Sequence, residues 1–294
     1  YAVGDGTPRF SPFLIPKTIP NMPAGHISLR YGLKGLNFTV SSACASSGNA
    51  LAVALDAIRA GRADIIISGG SDADITYSGL GGFSSMHALS TRNDNPAGAS
   101  RPFSKSRDGF VLGEGGACLI LEEYEHAKAR GAVILGEMVG YGNTCDAYHS
   151  TAPRPEGTTQ ARCIREALDE AGFDPEKDCL YINAHGTGTH LNDISETKAY
   201  KLALGEDAYK AHITSIKSMT GHMFGAAGAA EAIATVLSLR EGIVTPTINL
   251  DTPDPECDLD YTPNVAVKAP VTLGISDSLG FGGHNACVAF RNFK

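Results

Sequence analysis

The sequence contains no apolar run approaching the roughly 20 residues that would span a bilayer, so these residues offer no candidate for a membrane-spanning helix. It has no excess of basic residues: 24 Lys and Arg stand against 32 Asp and Glu, a net charge of −8. That balance gives no reason to expect nucleic-acid binding, and any acidic partner would need a local basic patch. There is no CxxC pair. The seven cysteines (44, 118, 145, 163, 179, 257, 287) are odd in number and scattered, which argues against a disulfide framework or zinc site and for reduced thiols in a cytosolic protein. No low-complexity segment or linker divides the chain. It opens Tyr1-Ala2-Val3-Gly4 with neither initiator Met nor signal region, as a chain already under way, so an N-terminal part is expected to be missing.

What is present is 294 residues of ordinary globular composition, 43% hydrophobic and 19% charged, enough for one large domain or two fused halves. The stretch from Leu36 to Ala73 organises the rest. Leu36–Val40 predicts a buried strand, and so does Ala63–Ile67. Between them Ala50, Leu51, Val53, Ala54, Leu55 and Ile58 form a helical apolar face that stops before Gly61. The turn into that helix, Ser41 to Gly48, is built of small residues and carries one reactive side chain, Cys44. A helix N-terminus favours the thiolate, the nucleophilic form of cysteine. A lone cysteine is more often a small buried filler, so Cys44 needs support from elsewhere.

Residues 8–30, with five prolines, predict an irregular approach to the first strand, and 74–115 predict a long loop region. Strands are then expected at Ala117–Leu121, Val133–Val139, Cys179–Asn183, His212–Ile216, Thr272–Ile275 and Ala286–Phe290. Helices are expected at Glu122–Arg130, Thr158–Ala171, Asp193–Leu204 and Gly225–Leu239. This alternation predicts α/β architecture with a largely covered sheet. One internal echo stands out. Ile213 to His222, followed by Phe224 to Ala230, repeats the plan of the Cys44 unit: strand, small-residue turn with one reactive side chain, Ala/Gly-rich helix. It suggests two related halves facing each other, with Cys44 and His222 at corresponding helix ends.

A third signal is Asn183-Ala184-His185-Gly186-Thr187-Gly188-Thr189 at the C-terminal end of a predicted buried strand, where α/β sheets place their ligand sites. Cysteine and two histidines could bind zinc, but they stand on separate turns and Lys217 near His222 would oppose a cation. Cys–His nucleophilic catalysis of the protease kind stays open, though it leaves the Gly- and Thr-rich histidine turns unexplained.

Taken together, the Cys44 turn, RPFSKSRDGFVLGEG (101–115), LEEYEHAKARGA (121–132), DAYHSTAP (146–153), NAHGTGT (183–189), KSMTGHMFGAAGAAE (217–231) and GFGGHN (280–285) cover essentially the whole chain. In that order they resemble the elongating, Cys-His-His β-ketoacyl-acyl carrier protein synthases, nearest their synthase II branch. The resemblance implies a thiolase-like fold, five αβαβα layers from two pseudo-symmetric halves. Here the halves would be 1–130, the remainder of the first with the nucleophile turn, and 131–294, with both histidines.

The resemblance further implies decarboxylative Claisen condensation of an acyl thioester with malonyl-acyl carrier protein. Cys44 would carry the acyl chain as a thioester, and the N–H groups of Cys44 and Phe281 would form an oxyanion hole. His185 and His222 would bind the malonyl thioester carbonyl and stabilise the enolate. Lys217 would pair with Glu231 and hold the His222 turn. Thr151, Thr187 and Thr189 would contact phosphopantetheine, which arrives on the carrier protein, so no cofactor is expected, and Phe281 would act as a gate. A cytoplasmic homodimer working with acyl carrier protein is implied, with Arg9 the foremost carrier contact and Lys17 and Arg30 weaker candidates. Three residues depart from the family pattern: Asp277 in place of Asn, adding a charge near the oxyanion region; Ser104 in place of Asp; and His87 where a carrier-contacting Arg can occur. A biosynthetic thiolase, a polyketide ketosynthase and a non-catalytic chain-length-factor subunit are the competing readings; Cys44 argues against the last.

Overall fold

The computed structural model describes residues 2–3, 7–8 and 10–293; Arg9 lies outside them. It comprises a unit of residues 1–40 and a unit of residues 41–294.

In the first unit two short strands, β1 (Ala2–Val3) and β2 (Thr7–Pro8), pair antiparallel. The expected irregular segment instead contains two helices, α1 (Leu14–Thr18) and α2 (Met22–Tyr31). Proline is compatible with both, because Pro16 and Pro23 sit in first turns, where the missing N–H has no intrahelical acceptor. Gly32, at φ +66°, ends α2 in the left-handed conformation. The strand expected at Leu36–Val40 does not form, and Leu36 and Phe38 are 57% and 58% exposed. A strand exists only when a neighbour takes its N–H and C=O groups. Among the described residues no strand pairs with 36–40. Asn37 and Thr39 donate side-chain hydrogen bonds to the Ala24 and Pro20 carbonyls at 3.3 and 3.2 Å instead.

The second unit opens with α3 (Ser46–Arg59), which buries Leu51, Ala52, Ala54 and Leu55. Of the expected face Leu51, Ala54 and Leu55 are buried, Ala50 and Ile58 are half-buried, and Val53 turns outward, 39% exposed. It is followed by β3 (Ile65–Asp72), α4 (Tyr77–Ser85), β4 (Gly115–Glu122), α5 (Tyr124–Ala129), β5 (Glu137–Cys145) and α6 (Thr158–Glu170). The chain continues through β6 (Leu180–Asn183), α7 (His190–Leu204), β7 (His212–Thr214), α8 (Lys217–Thr220) and α9 (Ala227–Glu241). Two short strands, β8 (Ile243–Val244) and β9 (Val267–Lys268), precede the long hairpin β10 (Leu273–Gly280) and β11 (His284–Arg291). Helix α4 lies in the expected loop region, where the Thr76 hydroxyl caps it by accepting the Gly79 N–H at 3.0 Å. The strand expected at Val133–Val139 is displaced to β5, because pairing with β11 sets its ends. Val133 is left 81% exposed.

Five strands form one sheet in the order β5-β11-β10-β6-β7, and β3 pairs with β4 separately. Helices α6 and α7 pack together, with α6 on β5 and β11; α3 and α9 lie between this sheet and the β3–β4 pair. Four alternating layers of the expected α/β fold are thus built by the described residues. Strand β6 is parallel to both β10 and β7, so the C-terminal ends of all three share one edge. From that edge emerge the turns carrying His185, Phe281, and Lys217 with His222. Among the described residues no helix is long and apolar enough to cross a membrane.

Close seating of helix on sheet is testable at Gly142, where a Cβ would overlap the Cys163 carbonyl of α6. Gly142→Ala should reduce the unfolding free energy by about 1–3 kcal/mol. It should appear as a lower urea midpoint at constant slope. An unchanged midpoint would show that α6 is not held this tightly on β5.

Candidate active site

Cys44 stands one residue before Ala45, the N-cap of α3, and is 7% exposed. Its turn is tied internally: the Ser42 N–H donates to Ser46 Oγ at 2.9 Å, and Asn49 Nδ2 to Ser42 Oγ at 2.7 Å. Ala43 is held at φ +51°, a left-handed conformation that costs a non-glycine residue on the order of 1 kcal/mol. The expectation of a thiolate is corrected here. Burial pushes the thiol up to about 12, against the opposing charge of Lys217. A helix terminus contributes only about 0.3–1 kcal/mol, so desolvation of the anion wins and the resting group is the neutral thiol.

His222 Nε2 lies 3.1 Å from Cys44 Sγ. The Phe224 N–H donates to His222 Nδ1 at 3.3 Å. A backbone N–H can only donate, so Nδ1 is the acceptor nitrogen and the neutral ring carries its proton on Nε2, facing the sulfur. The ring is neutral because burial, assisted by the charge of Lys217, holds it well below the usual imidazole range. The backbone is clamped on both sides: the His222 N–H donates to Val111 O at 2.7 Å, and the Gly113 N–H to His222 O at 2.9 Å. The same 101–115 segment grips the second histidine turn through the Gly109 N–H, which donates to Gly188 O at 3.1 Å.

His185 follows β6 directly, is 3% exposed, and meets His222 edge-to-face with ring centroids 5.3 Å apart. Burial, Lys217 and His222 together hold its ring well below the usual range, so it too is neutral. Its Nδ1 is buried and finds no partner among the described residues. The backbone is anchored from behind: the His185 N–H donates to Glu196 Oε1 at 2.6 Å and reaches Asp277 Oδ1 at 3.2 Å, and the Gly186 N–H donates to Glu196 Oε2 at 2.8 Å. Lys217 and Glu231 form an ion pair with both side chains 1% exposed.

The structure therefore gathers Cys44, His185, His222, Lys217 and Glu231. Phe281 is brought close by Gly280, whose Cβ position lies 3.3 Å from the Cys44 nitrogen. Among the described residues neither the Cys44 nor the Phe281 N–H has a backbone acceptor. Thr187 and Thr189 share the His185 turn, their hydroxyls 3.0 Å apart. Thr151 is exposed, and its neighbour Ser150 accepts the Gly282 N–H at 2.8 Å, tying that loop to the Phe281 turn. Of the departures, Ser104 is buried and its hydroxyl is 3.3 Å from Thr252 O, while His87 is exposed at φ +53°. Asp277 faces the His185 turn rather than Phe281, accepting hydrogen bonds from Gln160 Nε2 at 3.0 Å and the Tyr200 hydroxyl at 2.9 Å.

Sequence reasoning did not single out the aromatic wall around the sulfur. Phe224 and Phe110 cluster with Cys44, and Phe83 stacks on Phe224 at 4.8 Å. Their positions, 83, 110 and 224, share no spacing that could have revealed them. Glu196 was equally hidden, reading as one more polar residue of a helix. A thiol against an apolar wall can accept and shelter an acyl group. Two neutral imidazoles converging on one point can donate to developing negative charge without carrying charge themselves.

Comparison with known proteins places this geometry. The N-terminal domain model of the beta-ketoacyl synthases matches residues 3–127, and their C-terminal domain model matches 135–251. A 3-oxoacyl-[acyl-carrier-protein] synthase 2 of Synechocystis sp. is 52% identical over 289 residues, 98% of this chain and 69% of that protein. One of Staphylococcus aureus is 49% identical over the same shares. Among solved structures, a type II PKS acyl-carrier protein in complex with its ketosynthase matches with a TM-score of 0.90 at 43% identity, covering 93% of this chain and 67% of that one. A beta-ketoacyl synthase from Burkholderia phymatum gives 0.88 at 39% identity, with shares of 94% and 66%.

The buried ion pair yields a direct test. Lys217→Met leaves Glu231 buried without a counter-charge and should lower stability by about 3–5 kcal/mol in urea unfolding. Lys217→Met combined with Glu231→Leu should recover a large part of that loss. Equal instability of the single and double variants would show that packing, not charge pairing, dominates there.

Proposed function

The chain belongs to the β-ketoacyl synthase family, and from that premise we propose that it carries out decarboxylative Claisen condensation of an acyl thioester with malonyl-acyl carrier protein. The product is β-ketoacyl-acyl carrier protein, in fatty acid chain elongation. The carrying observation is the contact of His222 Nε2 with Cys44 Sγ at 3.1 Å, with the neutral His185 ring beside it.

Cys44 takes the acyl group as a thioester by displacing the carrier's phosphopantetheine sulfur, which leaves as a thiol with the Cys44 proton, and the acyl chain lies against Phe83, Phe110 and Phe224. Since Nε2 of His222 already bears the proton, this imidazole acts as a donor and not as the base for the thiol. In the second half-reaction the malonyl thioester carbonyl sits between His185 and His222. Loss of carbon dioxide generates the carbanion without a strong base, and the imidazoles donate to the enolate oxygen. The carbanion attacks the Cys44 thioester, and the N–H groups of Cys44 and Phe281 receive the oxyanion that forms; its collapse breaks the C–S bond, and the released Cys44 sulfur regains a proton from solvent. Lys217 and Glu231 hold the His222 turn, Thr151, Thr187 and Thr189 contact the phosphopantetheine arm, and Phe281 gates entry. No resident cofactor is involved. The proposed working unit is a cytoplasmic homodimer served by acyl carrier protein, its halves divided near residue 130. A polyketide ketosynthase is the second reading, favoured by the type II neighbour; relatives at 52% and 49% identity favour elongation.

Mass spectrometry of acyl loading tests the assignment of roles. Cys44→Ala should neither load nor condense, whereas His185→Ala and His222→Ala should still load acyl groups on Cys44 and fail to condense. Condensation by the alanine variant of Cys44 would overturn the nucleophile assignment. Loss of loading in either folded histidine variant would make that histidine the base.

Arg9 is proposed as the carrier contact on the charge argument alone: the chain is net −8, and an acidic carrier needs a local basic group for productive encounter. Arg9→Glu should raise KM for acyl-carrier protein and flatten its salt dependence, leaving a small acyl-pantetheine substrate unaffected. Equal loss on both substrates would withdraw it.

A further inference from the structure

We propose that Asp277 and Glu196 form one proton-sharing carboxyl pair, and that this pair positions His185 through its main chain. The argument starts from shared donors. The His185 N–H reaches Glu196 Oε1 at 2.6 Å and Asp277 Oδ1 at 3.2 Å, and the Tyr200 hydroxyl reaches the same two oxygens at 2.7 and 2.9 Å. Two oxygens that share two donors stand side by side. Tyr200 has a single proton to give, so it satisfies one of them at a time.

Among the described residues no unpaired cationic side chain faces the two carboxyls. On α7, Asp193 is engaged by Arg107 at 3.3 Å, and Asn192 Nδ2 donates to Glu196 Oε2 at 3.0 Å. From α6 come Gln160, which donates to Asp277 Oδ2, and the Cys163 thiol; from β11 comes the Cys287 thiol. On the side of α8 and α9, Lys217 is already paired with Glu231, and both nearby histidines are neutral. Glu196 and Asp277 are each fully enclosed, 0% and 2% exposed. Two adjacent buried carboxyls with no unpaired cationic side chain beside them disfavour double ionisation, and a proton held between Oε1 and Oδ1 resolves the conflict. Burial and mutual repulsion raise Glu196 well above the usual carboxylate range, and burial raises Asp277.

The pair is a positioning device because the groups it accepts are the N–H donors of the His185–Gly186 turn. While the proton is shared, both carboxyls remain against that turn and the His185 ring stays edge-on to His222. When alkaline pH removes it, the two anions repel, and the turn tied to both shifts. Asp277→Asn replaces the shared proton by an amide N–H that donates to Glu196 and does not titrate.

Two readouts test the proposal on the full chain. Infrared titration of the wild type should reveal a protonated-carboxyl C=O band that disappears at alkaline pH and is missing in Asp277→Asn. Glu196→Gln should lose it as well, and serves alone if the Asn variant does not fold. A wild type without the band, or a band that both variants retain, overturns the proposal. The kinetic readout rests on the proposed condensation activity. Normalised to its own maximum, the alkaline limb of kcat in Asp277→Asn should move up by about one pH unit or more, with KM for the acyl donor little changed. An unmoved limb in a variant that has lost the band overturns the positioning role. Absence of any condensation by the wild type would sink the functional reading instead, leaving the infrared result to decide the pair.

Discussion

The site depends on one buried cation. Lys217 carries its charge in the interior because Glu231 neutralises it at contact distance, and each member alone would be far costlier to bury. From that position the ammonium depresses the basicity of His185 and His222 and opposes the rise in the Cys44 thiol. Two neutral imidazoles and a neutral thiol therefore share one enclosure, a state that burial favours and Lys217 reinforces. The pair is itself braced through main-chain contacts. Ser100 Oγ donates to the Lys217 carbonyl at 2.6 Å, and Asn183 Nδ2 donates to the Glu231 carbonyl at 3.2 Å. Ser100, just before the 101–115 segment, and Asn183 of β6 thus hold the main chain of the two paired residues.

Small residues permit the convergence. The first turns of α3 and α9 meet where Ser47 Oγ accepts the Ala229 N–H at 2.9 Å, and a Cβ on Gly228 would stand 3.1 Å from the Gly48 nitrogen. Larger side chains at this crossing would hold the two helix ends apart, and the thiol would leave His222. The long irregular 101–115 segment has a comparable role without regular structure. Its backbone hydrogen bonds to the His222 and Gly188 positions tie together the turns that follow the neighbouring strands β6 and β7.

Much of this was legible in the residues. The apolar face of α3, the buried β6, and the recurrence of strand, small-residue turn and Ala/Gly-rich helix around Cys44 and His222 are local patterns, and they reappear as local structure. The failures share a cause. Leu36–Val40 has strand composition but no partner strand among the described residues, and Val133–Leu135 has it but lies outside the stretch that β11 pairs. β-Propensity describes a residue's fit to a sheet and says nothing of whether an edge is offered. The prolines of α1 and α2 misled in the opposite sense, since their effect depends on which helical turn they occupy.

By itself the sequence determined the chemistry available and its order along the chain: one cysteine in a small-residue turn, two histidines after strands, a lysine five residues before the second. Side-chain identity and short-range periodicity carry that information. The tertiary structure alone decided which atoms meet and in what charge state. Parallel β6, β7 and β10 put three distant turns on one edge, and the enclosure that results holds the thiol protonated despite its place at a helix end. Protonation of a buried group follows from who surrounds it, and those neighbours come from distant segments: Cys44 and His222 stand 178 positions apart.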